Sequence, residues 1–266
     1  MSESRTNLYT ITGEPETRVH IQRVSAQVTE VGTPVYLHTI QLAGKELEAL
    51  EFFASIQTFT NVRDPRVPML IDAWQEGTGV QFVTLELNGF PIDSSEAQGI
   101  LSSHGNQLLD EIGYQTLATL AVLHSQNATH RRVRKEVFAV HETGFIFMKD
   151  CGLLDRLQNL ASQQFDDAPG GMLLASNLAA YDVVDWAAMM ATMITRVPIL
   201  DPSRRKSEEE LLPEEVDQAQ RQLIQLMGET PMAIFLNKCL QARADNVPVF
   251  DQAGDALKHY PGKEKT

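Results

Sequence analysis

Leu123-His124-Ser125-Gln126-Asn127-Ala128-Thr129-His130-Arg131-Arg132 is the stretch on which the organisation of this chain turns. It begins apolar and ends basic, and the cations continue through Arg134 and Lys135. On its N-terminal side Leu109, Ile112, Leu117, Leu120 and Leu123 recur at helical spacing, which predicts an amphipathic helix over 106–126 that stops inside the quoted stretch. On its C-terminal side the period changes. Runs at 137–140 and 145–149, joined by His141-Glu142-Thr143-Gly144, predict a strand pair. Helical patterns then return at 180–195, 214–227, 232–242 and 249–260, and the charged run 201–210 predicts an exposed loop. Upstream, the first hundred residues read as strands at 8–11, 19–24, 35–40, 69–74 and 80–87. Gly13-Glu14-Pro15, Gly32-Thr33-Pro34 and Glu76-Gly77-Thr78-Gly79 separate them as turns. One helix over 45–59 intervenes, with Leu47, Leu50, Phe53 and Ala54 on one side. Five strands with one helix, then a helical body carrying one hairpin, predict an α+β protein.

Composition narrows the function classes. With 266 residues, 43% hydrophobic and 21% charged, the chain can bury a full-size core and is neither disordered nor fibrous. Its net charge of −13 repels nucleic-acid phosphate and anionic lipid. Two cysteines, Cys151 and Cys239, make no disulfide framework, which points to a reducing, intracellular compartment, the cytoplasm by default. Residues 1–10 lack a charged-then-apolar signal segment, and the apolar stretch 186–200 is too short and interrupted to span a bilayer.

In that order of elements, the quoted stretch resembles the end of the long helix and the catalytic loop of a protein kinase, L-H-S-x-x-x-x-H-R-D-L-K-x-x-N. Asp150-Cys151-Gly152 resembles D-F-G, Ala168-Pro169-Gly170 resembles A-P-E, and Tyr181-Asp182-Val183-Val184 resembles the start of the large buried C-lobe helix. Upstream, Val35-Tyr36-Leu37-His38 falls where kinases carry V-A-I-K, and Gly13 and Val19 stand as in G-x-G-x-x-G-x-V. The resemblance runs from about Leu8 to Pro261. It implies a bilobal protein-kinase-like fold, with a five-stranded N-lobe and one helix over 1–87 and a mainly helical C-lobe over 88–266. Little chain is left at either end for a further domain.

The departures from that pattern carry the functional expectation. Phosphoryl transfer needs a lysine on the phosphates, a base for the hydroxyl, metal ligands and a phosphate-covering loop. The lysine position holds His38, the base position holds Arg132, which cannot accept a proton, and the metal-binding Asn position holds Val137, which has no side-chain oxygen. Around Gly13 the loop carries Glu14, Pro15 and Glu16 in place of further glycines. Tyr36 replaces the small alanine above adenine, and Gly170 with Val247 replaces both ends of the A-P-E ion pair. Leu85 and Glu86, at the end of the last N-lobe strand, and Glu51 complete the degenerate site positions. Either Glu48 or Glu51 matches the glutamate of the N-lobe helix.

The resemblance and its departures together imply a pseudokinase: a protein-binding scaffold or allosteric regulatory subunit of a complex, with ATP and Mg²⁺ bound weakly or not at all. Its partner is expected to be a protein, not nucleic acid or membrane. A divergent active kinase or transferase using the same cleft is the alternative, kept open by Asp150 and the acids Glu48 and Glu51. The basic run from His130 to Lys135 reads as partly internal catalytic loop, as a nucleic-acid patch, or as a groove mouth that grips an acidic or phosphorylated protein. No zinc-binding spacing joins the seven histidines and two cysteines. Leu153, Leu154, Leu157 and Leu160 predict a short amphipathic helix, locked in one conformation, between the D-F-G-like and A-P-E-like triplets.

Overall fold

A computed structural model of the chain describes residues 5–18, 21–41, 63–76, 79–102, 108–130, 132–149, 175–199, 213–241 and 248–262. The expectations for the helix over 45–59 and the segment 153–160 lie outside these residues. The architecture is mixed α+β, with antiparallel sheets and several helices. The described residues up to Asn88 form one compact unit and those from Gly89 onward form another.

The first unit is built from alternating strands. β1 (Tyr9–Ile11), β2 (Glu16–Arg18), β3 (Ile21–Val28), β4 (Pro34–Gln41), β5 (Leu70–Glu76) and β6 (Gly79–Leu85) make one antiparallel sheet in the order β1-β3-β4-β6-β5, with β2 pairing β3. Cross-strand register puts Val24 opposite Leu37, Ala26 opposite Val35, and Leu37 opposite Val83. Together with Trp74 they bury one face of the sheet. Tyr9 stacks on Trp74 with ring centroids 6.0 Å apart. Since β1 and β5 are the two ends of the strand order, the sheet is curled enough for side chains from its two edges to stack.

Two sequence expectations are corrected here. The sheet has six strands among the described residues, not five, because Glu16–Arg18 pairs with Ile21–Arg23 and is no loop. Gly13, Glu14 and Pro15 interrupt the first strand, and Pro15 has no N–H for the ladder, so pairing resumes only at Glu16. The strand expected over 19–24 runs to Val28.

In the second unit β7 (Phe90–Pro91), α1 (Ser95–Ser102) and α2 (Leu108–Ser125) precede β8 (Phe138–Val140) and β9 (Ile146–Met148). Then follow α3 (Ala175–Thr195), α4 (Pro213–Met227), α5 (Pro231–Leu240) and α6 (Ala253–Leu257). Every residue from 179 to 191 is buried, Asp182 and Asp185 included, so this stretch of α3 is covered all round and forms the centre of this unit. Trp186 Nε1 donates to Thr116 Oγ1 at 2.8 Å, tying α3 to α2. The C-terminal helix is shorter than the expected 249–260 span: only five residues, Ala253–Leu257, are helical. Among the described residues, no helix is long and apolar enough to cross a membrane.

Candidate functional site

On the sheet face opposite the Val24–Leu37–Val83 core, register alone assembles a polar row. Arg23, His38 and Phe82 lie side by side on β3, β4 and β6, and Ser25, Tyr36 and Thr84 form the next row. The His38 ring stacks on Phe82, with centroids 4.4 Å apart and planes 6° apart, and its Nε2 lies 3.0 Å from Thr84 Oγ1. Only 4% of His38 is exposed, and its Nδ1 has no hydrogen-bond partner. Burial, helped by the nearby Arg23 charge, lowers its pKa to about 3, so the ring is neutral at any ordinary pH.

Tyr36 is held from both sides. The Arg23 guanidinium sits 4.6 Å from the centre of its ring, and the tyrosine hydroxyl bonds the Glu86 carboxylate. Burial first, and then that carboxylate, push the Tyr36 hydroxyl above its usual range. Arg23 in turn pairs with Glu16 at 2.6 Å, so the glutamate expected to face phosphates is spent on a cross-strand ion pair. Gly13 lies in the bend after β1, where its N–H donates to Ser25 O. A Cβ on Gly13 would come 3.2 Å from Ser25 Cβ. Leu85 closes β6, half-buried, and its N–H reaches Met69 O.

In the second unit, the stretch that opened the sequence reading ends α2 in a defined way. Asn127 adopts left-handed φ (56°), its N–H returns to His124 O, and the Ala128 N–H returns to Leu123 O. That pair of bonds is a Schellman cap, with asparagine in the position glycine usually takes. The loop is then anchored on one buried carboxylate oxygen of Asp182 in α3. His130 N–H donates to it at 2.7 Å and His124 Nε2 lies 3.0 Å away. The Ala253 N–H at the start of α6 donates to His124 Nδ1, which fixes the tautomer: Nε2 carries the proton and donates to Asp182. Burial would raise the Asp182 carboxyl, but the His124 hydrogen bond and the His130 N–H hold it below the usual range.

Arg132 is half-buried just beyond this anchor, its own N–H bonded to His130 Nδ1 at 3.3 Å. Val137 is 4% exposed in a 3-10 turn, Lys135–Val137, that leads into β8. Val19, Glu48, Glu51, Arg131, Asp150, Gly170 and Val247 lie outside the described residues. Among the described residues, no group of three or more His, Cys, Asp or Glu side chains is placed to hold a metal ion. Burial raises the Cys239 thiol, which makes it a packing residue, not a nucleophile.

The reading of sequence alone missed Arg23, Phe82, Thr84 and the anchoring role of Asp182. Asp182 did leave a signal: an acid inside an otherwise apolar helix must be paired wherever it is buried. Thr84 and Phe82 left none, because only cross-strand register brings them to His38. Compared with models of protein families and with curated proteins, the chain matches none.

Proposed function

We propose that the chain is a degenerate protein-kinase-like fold without phosphotransfer activity. In this reading an N-lobe over 1–87 and a C-lobe over 88–266 serve inside the cell as a protein-binding scaffold or regulatory subunit. The observation that carries the reading is His38. At the position that aligns with the phosphate-gripping lysine stands a ring that is buried, neutral and committed to Thr84 and Phe82. Such a group offers phosphate no charge. Tyr36 adds support, since Arg23 and Glu86 hold its ring and hydroxyl where the family keeps a small alanine. Arg132 and Val137 add more, as neither can take a proton from a hydroxyl or bind Mg²⁺.

Thermal denaturation with and without millimolar Mg²⁺-ATP tests it. A ligand far below its dissociation constant adds almost nothing to stability, so the midpoint should stay within about one degree. A rise of several degrees that EDTA abolishes would overturn the reading in favour of an active nucleotide-dependent enzyme.

A further inference from the structure

In a chain of net charge −13, the loop that follows α2 is locally basic. Arg132 and Arg134 lie two residues apart, hence within about 7 Å of each other along the backbone. Lys135 follows, and Lys149 stands just past the end of β9. Lys135 itself meets two carboxylates. Asp93 binds Lys135 Nζ at 2.5 Å, and Glu136 lies 4.0 Å from the same ammonium. The Lys135 hydrogen bond, with the Lys135 and Lys149 charges behind it, holds the Asp93 carboxyl below its usual range.

Arg132 differs from its neighbours. Its backbone is fixed by His130 Nδ1, and His130 is fixed by Asp182. Its guanidinium, half-buried, has no hydrogen-bond or ion-pair partner among the described residues. A planar five-donor group with donors unspent, on a backbone held at His130 and Arg132, suits a small anion that can be gripped by two parallel bonds.

We propose that Arg132, with Arg134 beside it, forms a receptor for a phosphate or carboxylate group on an acidic segment of a partner protein. The chain's overall charge favours a short acidic peptide over a nucleic acid, since an extended polyanion would meet the repulsive field beyond the patch. This deepens the binding-module reading and rests on it for the premise that the loop meets another protein.

Fluorescence anisotropy on the full chain tests the proposal with three labelled probes. One is a short peptide carrying a phosphoserine, one a peptide with a run of glutamates, and one a single-stranded DNA oligonucleotide. At least one peptide should bind saturably and weaken as salt rises, and which one binds separates phosphate from carboxylate. Arg132→Gln should weaken binding about tenfold, while Arg132→Lys, which keeps the charge but loses the two-pronged grip, should fall between the Gln variant and the parent. Lys258→Gln, on a surface ion pair with Asp255, should change nothing. Melting temperatures confirm that each variant is folded. Lack of saturable peptide binding, equal affinities for the Gln and Lys variants, or tighter binding of the oligonucleotide than of both peptides would overturn it. The Mg²⁺-ATP shift is measured on the same samples. A shift with peptide binding intact removes the pseudokinase reading alone, and failed peptide binding without a shift removes this proposal alone.

Discussion

A histidine ring that stacks on Phe82 and meets Thr84 through Nε2 has one nitrogen left, and at His38 that Nδ1 meets nothing. Protonating it would bury a charge next to the Arg23 guanidinium, which is why its pKa falls to about 3 in the folded chain. In the unfolded chain the same ring takes its proton near 6.5. Between those values the unfolded state binds the extra proton. Stability present above the unfolded pKa is therefore lost as pH falls toward 3, by about 1.4 kcal/mol per pH unit. His38→Leu removes the titration. Urea midpoints measured from neutral to acid pH should fall less steeply in the variant than in the parent, and parallel slopes would show that His38 charges without cost. The sequence alone marks His38 as a poor phosphate ligand. It cannot reveal the burial, because Thr84 lies 46 residues away and only strand register brings it alongside.

At the scale of elements, close approach decides more than propensity. Gly113 on α2 faces the Tyr260 hydroxyl, which itself donates to Asp110 O, and a Cβ at 113 would run into that hydroxyl and lie 3.0 Å from Met190 Cε. Alanine is the better helix former by about 1 kcal/mol, yet overpacking here should cost about 1–3 kcal/mol. Gly113→Ala should thus lower the urea midpoint, and a higher midpoint would mean that Tyr260 swings away freely. The end of α3 gives the opposite case. Arg196 sits at φ 59°, a strained conformation for a residue with a Cβ, and Arg196→Gly should raise stability by up to about 1 kcal/mol on thermal melting. Elements with long apolar periods were legible in the sequence: the pattern over 106–126 corresponds to α2, Leu108–Ser125. Short elements were not. β2 has three residues and no periodicity to read, and α1 was overlooked although Ser94 caps it by accepting from the Ala97 N–H at 3.1 Å. The residues expected to close the chain as a helix instead give the short α6, with Gln252 at its N-cap making no side-chain cap bond.

Over the whole molecule, the described positions singled out from sequence do not stand apart from the fold. Each is built into a packed or bonded surrounding of its own. His38 is stacked and bonded, Tyr36 lies under Arg23, Glu16 is paired, and Val137 is buried in the turn before β8. Placing a charged or polar group at these positions works against that packing. Val137→Asn would bury an amide where a side chain is 4% exposed, at about 1–3 kcal/mol, and His38→Lys would bury an ammonium close to the Arg23 charge. Arg132 is the exception: half-buried and without a side-chain partner among the described residues, it can be exchanged for aspartate with little loss of fold. That makes Arg132→Asp the clean test of whether chemistry is one residue away. The substitution returns a group able to take a proton from a hydroxyl, but it supplies neither the lysine charge nor the second metal ligand. Parts that act as a unit in phosphoryl transfer do not contribute singly. Incubated with Mg²⁺ and radiolabelled ATP, the variant should show no autophosphorylation and no transfer to a generic acceptor above the level of the parent chain. Robust incorporation would mean that a lysine elsewhere in the chain reaches the phosphates, and the proposed pseudokinase reading would fall with it.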